Sequence, residues 1–134
     1  MKKTTNLFCA IALIVLPVFG AMAQNPTIYK GWTALPDSPT HLEVSWSTLK
    51  CSSTSNDEIR LLVFNESGDA QTANFTITIS EQGQNDVTHT VSNLNLTGGE
   101  TIIANCGSTA PSSFSLDVPA GFDPNTLTIS ITYN

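Results

Sequence analysis

Alternation of apolar with hydroxyl-bearing side chains is the feature of this chain that most restricts its fold. Leu42, Val44 and Trp46 alternate with His41, Glu43, Ser45 and Ser47, and Phe75, Ile77 and Ile79 alternate with Thr76, Thr78 and Ser80. Farther on, Phe114, Leu116 and Val118 alternate with Ser113, Ser115 and Asp117, and Leu127, Ile129, Ile131 and Tyr133 alternate with Thr128, Ser130 and Thr132. A period of two sends successive side chains to opposite faces of an extended chain, so each segment predicts a strand with one apolar and one wet face. No segment after Gln24 sustains the helical period, and the expectation is β structure throughout.

The run Ile59 to Phe64 is apolar on both faces except at Arg60, which predicts a central strand or one whose second face is covered. Between Val87 and Leu96 the apolar set changes parity, from Val87, His89 and Val91 to Leu94 and Leu96, predicting a bulge or break near Ser92 and Asn93, as in a strand that crosses between sheets. Turn residues at 65–69, 82–85, 98–99 and 121–124 separate the elements. With a first strand near Ile28 to Leu35 and another at Thr101 to Cys106, the count reaches about seven to eight strands, as in an immunoglobulin-like two-sheet β-sandwich. Residues 40–134 are read as that sandwich, and 24–39, with Pro26, Pro36 and Pro39, as an irregular arm that lies over it and holds the first strand.

Lys2 and Lys3 precede an apolar run from Leu7 to Phe19 and the small-residue step Ala21-Met22-Ala23, which reads as a cleaved signal peptide over 1–23. The run is short for a bilayer span, and Pro17 and Gly20 interrupt it, so no membrane span is expected after cleavage. These features predict a secreted or periplasmic protein of a bacterial envelope. Losing Lys2 and Lys3 with the leader takes the formal charge from −6 to about −8 and leaves Lys30, Lys50 and Arg60 as the remaining cations. So little positive charge cannot neutralise a run of phosphates, and nucleic acid is not an expected partner. Cys9 departs with the leader, leaving Cys51 and Cys106 to pair in an oxidising compartment. In the loop-entropy description that bond stabilises the fold by about 4 kcal/mol.

Motifs for chemistry are sparse, and no cofactor, metal or catalytic residue is assigned. His41 and His89 are the only histidines, and neither flanks a nucleophile motif. His41 with Glu43 would place two ligands on one strand face, too few for a site. Asn65, Glu66 and Asp69, and Asp57 with Glu58, lack the spacing of a calcium loop and read as turn chemistry. Trp46 reads as the large core residue of the sandwich. Tyr29 and Trp32, two aromatics placed in the arm, either form a lid over the sandwich or part of a contact patch.

From Ile59 onward the order of signals resembles the bacterial adhesion-related immunoglobulin-like modules called CARDB domains. The resemblance rests on Ile59-Arg60-Leu61-Leu62-Val63-Phe64 running into an Asn65-to-Gly68 corner, on the strand Asn74 to Ser80, on Val91 to Leu96, and on the step Gly98-Gly99-Glu100-Thr101. The chain departs from that family in its cysteine pair and in lacking the acidic tail that often follows the last strand. Thr128 to Asn134, with its penultimate Tyr133, is similar to the closing strand of chaperone-usher pilin subunits, although Pro26 interrupts any alternating donor strand at Gln24. The sandwich fold, together with the lack of catalytic motifs, leads to the expectation of a non-enzymatic binding or adhesion-type module whose exposed strand faces and edges contact a partner protein, a glycan or a neighbouring copy. The pilin resemblance implies a fibre subunit. A secreted hydrolase or hydrolase inhibitor is the third expectation for an exported domain of this size.

Overall fold

The structure, a computed structural model, describes residues 25–134; the leader 1–23, Cys9 and the cleavage step before Gln24 lie outside the described residues. Eight strands form: β1 (Thr27–Ala34), β2 (Leu42–Lys50), β3 (Asp57–Asn65), β4 (Gln71–Ser80), β5 (Val87–Leu96), β6 (Thr101–Ile103), β7 (Ser115–Asp117) and β8 (Thr128–Tyr133). A five-stranded sheet has the order β1-β2-β3-β6, with β7 also pairing β3, and a three-stranded sheet has the order β5-β4-β8. All pairings are antiparallel. The chain changes sheet after β3, after β5 and again after β7, the Greek-key route of an immunoglobulin-like sandwich. Among the described residues no helix is long and apolar enough to cross a membrane.

Alternation becomes burial most directly in β4, where Ala73, Phe75, Ile77 and Ile79 are buried and the intervening residues are not. Facing them across the sandwich are Val44 and Trp46 of β2 and Ile59, Leu61 and Val63 of β3, all buried. Phe114, Leu96 and Leu127 close the ends, and the ring of Tyr133 meets Phe75 edge-on at 6.4 Å. Each such side chain removed from water stabilises the fold by about 1.5–3 kcal/mol before chain entropy is set against it.

Strand β3 is central, with β2 on one edge and the short β6 and β7 sharing the other. β6 pairs Leu62 to Phe64 and β7 pairs Glu58 to Arg60. The strand expected over Thr101 to Cys106 therefore stops at Ile103, where the chain turns away through Gly107, whose φ is +77°. β5 carries the predicted bulge. Asn93 has φ +55° and donates its N–H to Asn74 Oδ1 at 2.8 Å, and this moves the inward positions from Val91 to Leu94. β5 nonetheless stays within one sheet rather than crossing.

The arm holds the expected first strand between its prolines. Residues 27–34 pair with β2 as the edge strand of the larger sheet, and two register shifts, after Ile28 and after Lys30, absorb the irregularity.

Candidate functional site

The outward face of β2 bears Ser45, Ser47 and Leu49, a set the alternation assigns to solvent. All three are buried. β1 brings Trp32 and Ile28 to this face, and Pro26, Ile28 and Trp32 line a groove of about 370 Å³ together with Ser47 and Leu49. Asn105 and Cys106 complete the lining. Ile28 is 63% exposed and Trp32 42%, although both side chains are large and apolar. A second depression is bounded by Gln71, Thr72, Asn95 and Thr97, and carries no large exposed apolar side chain.

Beside the groove the disulfide Cys51–Cys106 joins the turn after β2 to the turn after β6, with 5.5 Å between Cα atoms. Both turns belong to the same sheet, so the bond does not tie the two layers together. It closes one end of the larger sheet's outer face. The layers are held by the apolar core instead.

Arg60, opposite Ser47 in the β2–β3 register, lies on this same face and is 7% exposed. Its guanidinium pairs with Glu58, donates to Asn105 O at 3.3 Å and to Ser115 Oγ, and reaches Cys51 Sγ at 3.2 Å. Among the described residues its Nε and Ser47 Oγ have no hydrogen-bond partner. The fork shape of arginine suits this position, since one side chain binds the β6–β7 connection and β7 to β3. The other two cations are also engaged within the domain: Lys30 Nζ lies 4.7 Å from the centre of the Trp46 ring and 3.5 Å from Leu127 O, and Lys50 lies 4.0 Å from Asp57.

Tyr29 and Trp32 lie on β1, the first strand expected within the arm, and they do not form one patch. Trp32 lines the groove, whereas Tyr29 donates its hydroxyl to Asp57 Oδ1 at 2.8 Å, and Asp57 shares the parity of the core residues Ile59 and Leu61. The bulge after Ile28 turns Tyr29 away from the outer face. The Asp57 carboxylate, by accepting that bond and by its charge, raises the Tyr29 pKa.

The other candidates resolve into structure. His41 precedes β2 with φ +59° and so does not share a strand face with Glu43. His89 donates Nε2–H to the Ser113 carbonyl at 2.9 Å. Asn65 is fully buried: its Nδ2 donates to Asp69 O at 2.9 Å and Thr97 O at 2.8 Å, and its Oδ1 accepts from Ser67 N–H and from Gln71. The turn Asn65 to Asp69 thus packs on the turn at Gly98-Gly99, where Gly99 donates back to Asn65 O at 3.0 Å. Among the described residues no three His, Cys, Asp or Glu side chains cluster as a metal site requires.

Sequence reasoning found Trp32 and Cys106 but not their neighbours Ile28 and Leu49. The available signal was parity, since Leu49 falls on the serine face of β2 and makes that face less polar than it looks. No protein-family model, curated protein or solved structure matches the chain.

Proposed function

We propose that this protein is a non-enzymatic binding module of the extracytoplasmic space, and that the groove between β1 and the disulfide receives an apolar side chain of a protein partner. The observation that carries this reading is the exposure of Ile28 and Trp32 in one groove with Leu49 and Ser47. A large aromatic beside a concave apolar surface is the usual anchor of protein contacts, because truncating it forfeits much buried area at little entropic gain. Among the described residues the cations Lys30, Lys50 and Arg60 are engaged within the domain, which favours a partner surface that is neutral or basic over an anionic one.

The fibre-subunit reading draws less support, since the chain's own strands bury Phe75, Ile77 and Leu61 completely. The hydrolase reading draws less support as well, since the His89 ring is held by the Ser113 main-chain carbonyl rather than by a carboxylate.

The test is an array of extended peptides carrying a central Leu, Phe or Trp, with a glycan array alongside. Wild type is expected to select apolar-centred peptides, and Trp32→Ala and Ile28→Ser to weaken that selection about tenfold or more. Binding that both substitutions leave unchanged, or selection confined to glycans, overturns the reading.

A further inference from the structure

Strand β8 leaves one edge unpaired among the described residues, and nothing in its make-up guards that edge. Proteins ordinarily blunt an edge strand with charge, proline or a bulge. The edge strand β1 carries Lys30 and two register shifts, and β5 carries the Asn93 bulge. β8 reads Thr128-Ile129-Ser130-Ile131-Thr132-Tyr133, without charge or proline, and its register with β4 is unbroken.

The direction of its free hydrogen-bonding groups follows from the ladder. Asn134 N–H donates to Asn74 O at 3.0 Å, continuing the register that pairs Thr132 with Thr76 and Ser130 with Thr78. In an antiparallel pair, bonded and non-bonded positions alternate. Thr128, Ser130 and Thr132 therefore bond toward β4, and Ile129, Ile131 and Tyr133 point their N–H and C=O groups out of the sheet edge.

The residues from Thr128 to Thr132 read the same in both directions about Ser130. We propose that two copies of this protein pair β8 with β8 in antiparallel fashion on a two-fold axis through Ser130, joining their smaller sheets into one continuous sheet. Ile129 of each copy then exchanges both main-chain hydrogen bonds with Ile131 of the other, using the groups the ladder leaves free. Thr128 faces Thr132 on the hydroxyl face, where threonine pairs cross-strand favourably. On the inner face the half-buried Ile129 and Ile131 cover one another. No charge opposes a like charge anywhere along the strand. The contact is isologous and closes at two copies, unlike the head-to-tail contact of a fibre.

The two-fold makes Ser130 its own partner at a non-hydrogen-bonded position, where Cα atoms stand about 4.5 Å apart, within the span a disulfide bridges. The exposed side chain of Ser130 can be changed without touching the core. Ser130→Cys, with the native disulfide intact and under mild oxidation, is expected to give a covalent dimer much faster than Thr90→Cys on the opposite edge strand. Sedimentation velocity over a concentration series is expected to show a monomer–dimer equilibrium in wild type. Ser130→Lys, which sets two ammonium groups face to face, is expected to weaken it about fivefold. Trp32→Ala should leave the dimer intact, which separates this contact from the groove. A wild-type monomer throughout with no preferential Ser130→Cys crosslink, or open-ended assembly beyond the dimer, overturns the proposal.

Discussion

Three polar side chains show how much individual residues decide here. Asn65 and Arg60 lie on the strand that is otherwise the most apolar in the chain, and each replaces a packing contact with a set of directed bonds. Asn65 joins the turn that follows its strand to the turn after β5, and Arg60 joins β3 to the β6–β7 connection and to β7. Tyr133 closes the other end, donating its hydroxyl to Pro36 O at 2.8 Å. Burial first, and then the charge of Asp37, push its pKa from 10.0 up to about 12. A phenol whose pKa is raised by folding contributes stability that is whole below its unfolded value and is lost as pH climbs through its folded value. Wild type is therefore expected to lose stability more steeply than Tyr133→Phe between pH 10 and about 12, as followed by urea midpoints. Tyr133→Phe starts about 1 kcal/mol lower at neutral pH because Pro36 O loses its donor. Equal slopes in the two proteins would show that the Tyr133 proton is not linked to folding.

At the scale of elements, turns carry more of the specification than strand composition suggests. Gly98 approaches the Asn65–Asp69 turn so closely that a Cβ built on it meets Gly68 O at 2.2 Å, and that atom is main chain with little room to move. Gly98→Ala is expected to destabilise the domain by about 2 kcal/mol, read as a lower urea midpoint, whereas Gly68→Ala, whose Cβ meets nothing within 4 Å, should cost far less. Similar losses in both would mean that the turns do not pack as described. Both turns were legible in the sequence as Asn/Gly punctuation, and the β5 bulge was legible as a change of parity. Their contact was not legible, because 32 residues separate Asn65 from Thr97 and local periodicity carries no information across that span. β1 was legible as a first strand near Ile28 to Leu35, because Pro26, Pro36 and Pro39 flank the strand rather than interrupt it.

For the whole molecule, a core one layer thick on each inner face leaves the disulfide with much to contribute. It spans 55 residues of sequence, and in the loop-entropy description its removal destabilises the domain by about 4 kcal/mol. The double substitution Cys51→Ala with Cys106→Ala is expected to lower the unfolding free energy by that amount in urea titrations while leaving the strand content of any folded fraction unchanged. A loss near zero would indicate that the apolar core alone sets stability.

From its residues alone the chain determined that strands form, which side chains enter the core and which cysteines can pair, because these follow from a period of two and from counting thiols. Only the tertiary structure decided that a serine-bearing face of β2 is buried beside Trp32 and Ile28, that the disulfide stays within one sheet, and that β8 has an edge unpaired among the described residues. Alternation sorts side chains into two faces, but it is blind to which strands become neighbours and to what later covers a face. Those outcomes rest on pairing between distant segments, where the free energy lies in contacts that no local pattern encodes.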